Sequence, residues 1–357
     1  MVKPFLAAAT IAVGLTACTA PADEQNTATA PATTTPATTT TTTTTSAAGK
    51  PLPQATSRTV LPFDDLNGVG GLAVDAQGAV YVAEVRDDHD SRVLKLPLGA
   101  TEPQELPIHD LLAPSDVTVD ATGTVYVSDQ NSDGAVLKLS PGAPRPELLP
   151  FDDVVRAAGV AVAPDGTIFV GDYGLGRVYS LKSGATAPEE LPFAGEFEVK
   201  APTAIATDSH GTLYVVDSRA NRVLALKSGA TAPEELPFAG EFEVKAPTAI
   251  ATDSHGTLYV VDSRANRVLA LKSGAEKPEV VPFTGLDDPY DVAIGPSDTV
   301  YVTDTANKRV VKLHPGSGEQ QELAVPDLDY LAALAVDSAG NVYVTNEDDQ
   351  VVQLPFA

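Results

Sequence analysis

The chain has 357 residues, with 48 acidic side chains against 23 basic ones and a formal net charge of −25. A field of that sign repels phosphate, which excludes nucleic acid and anionic lipid headgroups as electrostatic partners. A single cysteine cannot close an intramolecular disulfide, so an exported domain must draw its stability from core burial.

Residues 1–17 read as a short signal peptide. Lys3 supplies the positive end, and Phe5 to Leu15 form an apolar run too short to span a bilayer. The run ends in Leu15-Thr16-Ala17-Cys18, which resembles a bacterial lipobox. That resemblance implies that the Cys18 thiol is diacylated and the leader removed before it. The expected location is the cell membrane, lipid-anchored and facing the extracytoplasmic side. Two acyl chains give durable anchoring where one is marginal. Residues 18–57 then form a Thr/Pro/Ala-rich tether with an unbroken threonine run from Thr38 to Thr45. Such a segment cannot bury a core and is expected to stay disordered, either as a plain spacer or as an O-glycosylated stalk. A lipobox followed by a stalk of this composition resembles actinobacterial lipoproteins.

Residues 58–357 repeat one unit. In Thr203 to Leu226 the strands are expected over Ala204–Thr207, Thr212–Val216 and Arg222–Leu226, with an outer strand over Glu235-Leu236-Pro237-Phe238. The central aromatic recurs as Tyr81, Tyr126, Phe169, Tyr214, Tyr259, Tyr301 and Tyr343, at steps of 45, 43, 45, 45, 42 and 42 residues. A period of about 40–45 residues with four strands per unit is the signature of propeller blades. The fold expected is therefore an all-β propeller of seven four-stranded antiparallel blades.

The ends of the repeat array complement each other. Arg58 to Phe63 matches an outer strand with no blade before it, and the last repeat, Ala333 to Phe356, has three strands and stops. Pairing the two would complete a blade and close the ring. Leu181 to Ala230 is identical to Leu226 to Ala275, which points to a tandem duplication in a six-bladed ancestor. An extra blade narrows each share of the circle from about 60° to about 51°.

The blades carry Val74-Asp75 with Gly78 and Val80-Tyr81-Val82, Val119-Asp120 with Gly123 and Val125-Tyr126-Val127, and Val336-Asp337 with Gly340 and Val342-Tyr343-Val344. Several third strands open Asn221-Arg222-Val223, Asn266-Arg267-Val268 or Lys308-Arg309-Val310. This pattern resembles NHL repeats. The ring as a whole resembles the extracytoplasmic sensor domain of mycobacterial PknD-type serine/threonine kinases, although no kinase domain is present and there is one blade more. The resemblance implies a sensor-like binding domain and leaves the ligand open.

Second strands end in Glu84, Asp129, Asp172, Asp217, Asp262, Asp304 and Asn346. A ring of carboxylates around a channel could hold a cation. Recurrence in every blade favours architecture instead, with the carboxylates capping the following turn or pairing with Arg177, Arg222, Arg267 and Arg309. His210, His255, His89, His109 and His314 read as loop residues without metal-ligand spacing, so no metal, cofactor or catalytic residue is assigned. The candidate ligand-binding residues are Asp116, Tyr290 and Asp291. They break the small-residue pattern of Gly71, Ala158, Ala204, Ala249 and Ala332 where first strands begin. Acidic residues concentrate in the loops joining strands two to three and four to one, among them Asp64, Asp110, Asp152, Asp153, Asp287, Asp288 and Glu347. The expected function is a non-catalytic, membrane-anchored binding propeller for an extracellular protein or cell-wall ligand, cationic in character. The alternative is a metal-dependent propeller enzyme of the lactonase or lyase kind.

Overall fold

The computed structural model describes residues 58–354 apart from 65, 87–89, 131–133, 326 and 327; the leader, Cys18, the tether and His89 lie outside the described residues. The described strands form seven four-stranded antiparallel sheets arranged as the blades of a propeller. Inner strands of successive blades pack against one another, and that of blade seven packs against that of blade one. Blade seven combines Leu334–Val336, Val342–Thr345 and Val351–Leu354 with Thr59–Val60, in the register Thr59↔Gln353 and Val60↔Val352. The two chain ends thus close the ring and remove an open sheet edge.

Blade four consists of Pro202–Thr207, Leu213–Asp217, Arg222–Leu226 and Glu234–Glu235. Its outer strand is only two residues long, shorter than and offset from the Glu235–Phe238 expectation. Pro237 has no N–H to donate, and the Phe238 N–H turns back onto the Leu236 carbonyl at 2.7 Å. The chain therefore leaves the sheet edge and drives Phe238 into the space between blades, where it is buried. Second strands are buried along their whole length, as in Val80–Glu84, Leu213–Asp217 and Val300–Asp304. Each lies between two sheet neighbours and two flanking blades. That is why these strands read as near-continuous apolar runs rather than alternating ones.

The recurring aromatic is anchored from its own blade. The Tyr81 hydroxyl donates to Asp75 Oδ2 at 2.8 Å, while Asp75 Oδ1 accepts the Gln77 and Ala79 N–H groups. Tyr126, Tyr214, Tyr259 and Tyr343 repeat the bond with Asp120, Asp208, Asp253 and Asp337. Burial, reinforced by the adjacent carboxylate, raises the Tyr81 hydroxyl well above the usual phenol range. In blade three the turn begins with Ala163 and the aromatic is Phe169, so donor and acceptor are lost together. Tyr81→Phe leaves Asp75 Oδ2 without its buried donor and is expected to cost about 1.5–3 kcal/mol, read from urea unfolding with an unchanged slope. A cost below about 0.5 kcal/mol would show that the bond contributes nothing net.

Close backbone approach sets the inner ring. A Cβ on Gly70 would lie 1.9 Å from the Pro114 carbonyl oxygen of the next blade, so no larger residue fits there without moving the blades apart. Other blades spend side chains on the same seam. Ser115 Oγ donates to the Ala157 carbonyl at 2.6 Å and Thr248 Oγ1 to the Tyr290 carbonyl at 2.6 Å.

Candidate functional site

The strand-end carboxylates hold the loops of one face. In blades one to six the first N–H after the second strand bonds back to the loop that enters the blade, as Val85 to Gly68, Gln130 to Ala113 and Ser218 to Ala201, and in blade seven Glu347 bonds Asp329 in the same way. These bonds put the two-to-three and four-to-one loops together on that face. Asp129 accepts the Leu112 and Ala113 N–H groups at 2.9 and 2.8 Å, and Asp262 accepts those of Lys245 and Ala246 at 2.9 and 3.1 Å. The main target is thus the loop that enters the blade, with the following turn served as well in blade three, where Gly174 and Leu175 donate to Asp172. Arg222, Arg267 and Arg309 pair with Asp217, Asp262 and Asp304 as expected, and Arg92 pairs with Glu84. Arg177 does not pair with Asp172. It is exposed and reaches outward to Glu190 at 3.1 Å. These carboxylates are buried and engaged by backbone N–H groups, which makes them supports for the face above them.

Strand pairing places Asp116 and Asp291 in equivalent positions of blades two and six. Asp116 pairs across its sheet with Ser128, Gly71 with Ala83, Gly159 with Gly171 and Ala204 with Val216. The small counterpart in blade three is therefore Gly159, not Ala158, and in blade seven it is Ala333, whose N–H bonds Thr345 Oγ1 as that of Asp291 bonds Thr303 Oγ1. Both carboxylates reach into the next blade. Asp116 Oδ2 accepts the Val160 N–H at 3.2 Å, and Asp291 Oδ2 accepts the Leu334 N–H at 2.8 Å. Asp291 Oδ1 also accepts its neighbour Val292 N–H, whereas Asp116 Oδ1 is buried without a hydrogen-bond partner. Burial pushes the Asp116 carboxyl up to about 7. Tyr290 sits beside Tyr330, with ring centroids 5.8 Å apart and planes tilted by 58°. Burial, with the Tyr330 hydroxyl and the charges of Asp291 and Asp288 adding to it, raises Tyr290 above the usual phenol range.

The Tyr290–Tyr330 pair belongs to the face where acidic loops meet solvent. Asp64, Asp110, Asp152, Asp153, Asp287, Asp288, Glu347 and Asp348 are exposed there. Partial burial and the neighbouring Asp287 charge raise the Asp288 carboxyl above the ordinary aspartate range. Among the described residues, seven in these loops take left-handed backbone without being glycine: Asp110, Asn221, Asn266, Asp288, Lys308, Tyr330 and Asp349. For a bulky residue such as Tyr330 this conformation is costly, so the surrounding loop must hold it in place.

The opposite face holds a feature that the sequence pattern did not reveal. An open cleft of about 840 Å³ lies between blades five and six, lined by Asp253, His255, Lys272, Asp298 and His314 among others. His255 Nδ1 lies 3.0 Å from Asp298 Oδ2, and one ligand atom from each of Asp253, His255 and Asp298 falls within 4.8 Å of the others. His255 and Asp298 are 43 residues apart, which hides the pair from any search for short ligand spacings. The distance is one repeat length, and scanning at that offset would have found it.

No family model matches this chain, and no curated protein does. Among solved structures, a streptogramin B lyase superposes with a TM-score of 0.70 at 15% identity, over 84% of this chain and 98% of that one. A catalytically inactive virginiamycin B lyase from Staphylococcus aureus, solved with quinupristin, gives a TM-score of 0.69 at 14% identity over 84% and 99% of the two chains. Hydrazine synthase from Kuenenia stuttgartiensis gives 0.66 at 14% identity over 82% and 97%. At these identities the likeness establishes a β-propeller fold and leaves the chemistry to this chain's own residues.

Proposed function

We propose that this chain is a binding propeller held to the extracytoplasmic side of the membrane through a lipid on Cys18, with its acidic face presented to a cationic extracellular ligand, a basic protein or a wall polymer. The observation that carries the reading is the layered construction of that face. Buried carboxylates fix each loop through backbone N–H groups, and exposed carboxylates crown the same loops. Loops fixed by rigid sheets are where binding residues concentrate, and a surface of one sign steers oppositely charged partners. A sensor-like role of the kind carried by NHL propellers fits this arrangement. The metal-dependent enzyme reading needs ligands converging on the channel, and Asp116 and Asp291 each spend an oxygen on the neighbouring blade instead.

Two measurements test the parts separately. In a bacterial host with lipoprotein export, the chain is expected to partition into detergent and take up labelled fatty acid, and Cys18→Ser is expected to abolish both. An unchanged partition in Cys18→Ser would refute the anchor. For the face, polylysine serves as probe at low ionic strength. Reversing Asp152, Asp153, Asp287 and Asp288 to lysine is expected to weaken binding at least about tenfold, through lost steering and contact. The same number of reversals at the outer rim, at Glu189, Glu190, Glu234 and Glu235, is expected to change it less than about threefold. Equal losses from both sets would mean that net charge alone attracts the probe.

A further inference from the structure

We propose that Asp253, His255 and Asp298 form a divalent transition-metal site, best suited to Zn²⁺, in the cleft between blades five and six on the face away from the acidic loops. The donor set is one imidazole nitrogen and two carboxylate oxygens, a combination that suits zinc and its neighbours better than calcium or magnesium. Geometry supports the choice. A tetrahedral ion with ligand arms of about 2.0 Å separates its ligand atoms by roughly 3.3 Å. His255 Nδ1 and Asp298 Oδ2 already stand 3.0 Å apart, so an ion can be held between them with little movement. Asp253 supplies the third oxygen within 4.8 Å, and the open cleft leaves the fourth position to water or a ligand group.

The groups behind the donors are ordered. Asp253 is buried; its Oδ1 accepts the His255 and Thr257 N–H groups and its Oδ2 the Tyr259 hydroxyl. Asp298 accepts from the Ser254 N–H at 2.9 Å and the Ser254 hydroxyl at 2.8 Å. Outer bonds of this kind orient ligating carboxylates.

Blade six departs from the repeat at this turn. In six blades the turn ends in a glycine with positive φ: Gly78, Gly123, Gly166, Gly211, Gly256 and Gly340. In blade six that place is taken by Asp298, at φ +57°, directly after Ser297 at φ +56°. The turn begins with Gly295, where five of the other blades have aspartate and blade three has Ala163. The exchange moves a carboxylate from the inner end of the turn to the outer end, facing His255, at the expense of two strained residues in succession.

The duplicated blade supplies an internal control. His210 sits in an identical Asp208-Ser209-His210-Gly211 turn, but its neighbour at the position of Asp298 is Gly256, whose Cβ, if it had one, would lie 3.7 Å from His210 Nδ1. The same histidine in the same turn therefore lacks the second carboxylate.

The test is calorimetric titration of ZnCl₂ into the tag-free full chain carrying Cys18→Ser, which removes the competing thiol, at pH 7.5. One saturable site per chain is expected. His255→Ala and Asp298→Gly are each expected to weaken it at least tenfold, while His210→Ala changes it less than twofold. CaCl₂ should give no comparable site. Asp298→Gly restores the residue that the other six blades use, so its fold is preserved; the His255 side chain is 78% exposed, so its removal leaves the core untouched. Absence of a saturable site, or a loss in His210→Ala equal to that in His255→Ala, overturns the assignment.

Discussion

A disulfide between Thr59→Cys and Gln353→Cys, made in a Cys18→Ser background, is expected to raise unfolding stability by about 5 kcal/mol when oxidised and to lose that gain on reduction. The two positions are direct partners in the closing pair of blade seven. Their register, next to the Leu61 N–H bond to the Val351 carbonyl, gives the Cα spacing of about 5.5 Å that disulfides prefer. The size of the effect comes from the loop enclosed, roughly 300 residues, because closing so long a loop removes much of the unfolded chain's freedom. The converse experiment removes the clasp. Phe63 is buried among Leu72, Val80 and Val82 of blade one and Ala333, Tyr343 and Val351 of blade seven, so it wedges the seam where the ring closes. Phe63→Ala is expected to cost about 3–5 kcal/mol, and deleting residues 58–63 more, because Val351–Leu354 then becomes an open edge. Denaturant midpoints that coincide for oxidised and reduced staple would show that the ends are not held together in solution.

Much of this ring was legible in the sequence because propeller blades are local. Each hairpin is closed by its own turn residues, and Tyr81, Tyr126 or Tyr214 marks a strand buried on both faces whatever the rest of the chain does. Ring closure was legible too, since an orphan outer strand at one end and a three-stranded repeat at the other leave each other as the only partner. What a single repeat does not contain is its neighbour. Asp116 to Val160, Asp291 to Leu334 and Ser254 to Asp298 are bonds between residues 43 or 44 apart, one repeat length, and they depend on how blades lean together. Asp116 and Asp291 stood out in sequence as departures from small residues, and the structure gives both the same kind of partner, an N–H of the next inner strand. The outer strand was misjudged for a different reason. Leu236 and Phe238 look like strand residues by composition, but Pro237 bends the chain between them and their burial is against the adjacent blade. The Asp253–His255–Asp298 cluster was hidden because Asp253 and His255 recur in the duplicated blade as Asp208 and His210, and only Asp298, one blade on, sets the second copy apart.

Asp116→Asn is expected to flatten the fall in stability between pH 4 and pH 7. The Asp116 carboxyl is fully buried, with one oxygen accepting the Val160 N–H and the other without a partner, and its burial pushes it from 3.8 up to about 7. A folded-state value above the unfolded one means that the folded protein keeps a proton that the unfolded chain releases. Stability from this group is therefore full below about pH 4, declines as pH rises, and is gone above about pH 7, a total change of about 4 kcal/mol. Asparagine cannot ionise and keeps an oxygen for Val160. The difference between variant and wild type should thus grow with pH in favour of the variant and level off near pH 8, while contributions from all other titrating groups cancel in the comparison. Asp291→Asn is the contrasting case. Both of its oxygens accept backbone N–H groups, and an amide offers only one acceptor, so the variant is expected to lose about 1–3 kcal/mol. Urea unfolding at pH 4, 5.5, 7 and 8.5 decides the matter. Parallel curves for Asp116→Asn and wild type would mean that the Asp116 carboxyl is hydrated or already paired at neutral pH. A widening gap would mean that blades two and three are joined by a carboxyl that changes charge near neutrality, and that the inner ring loosens as it ionises.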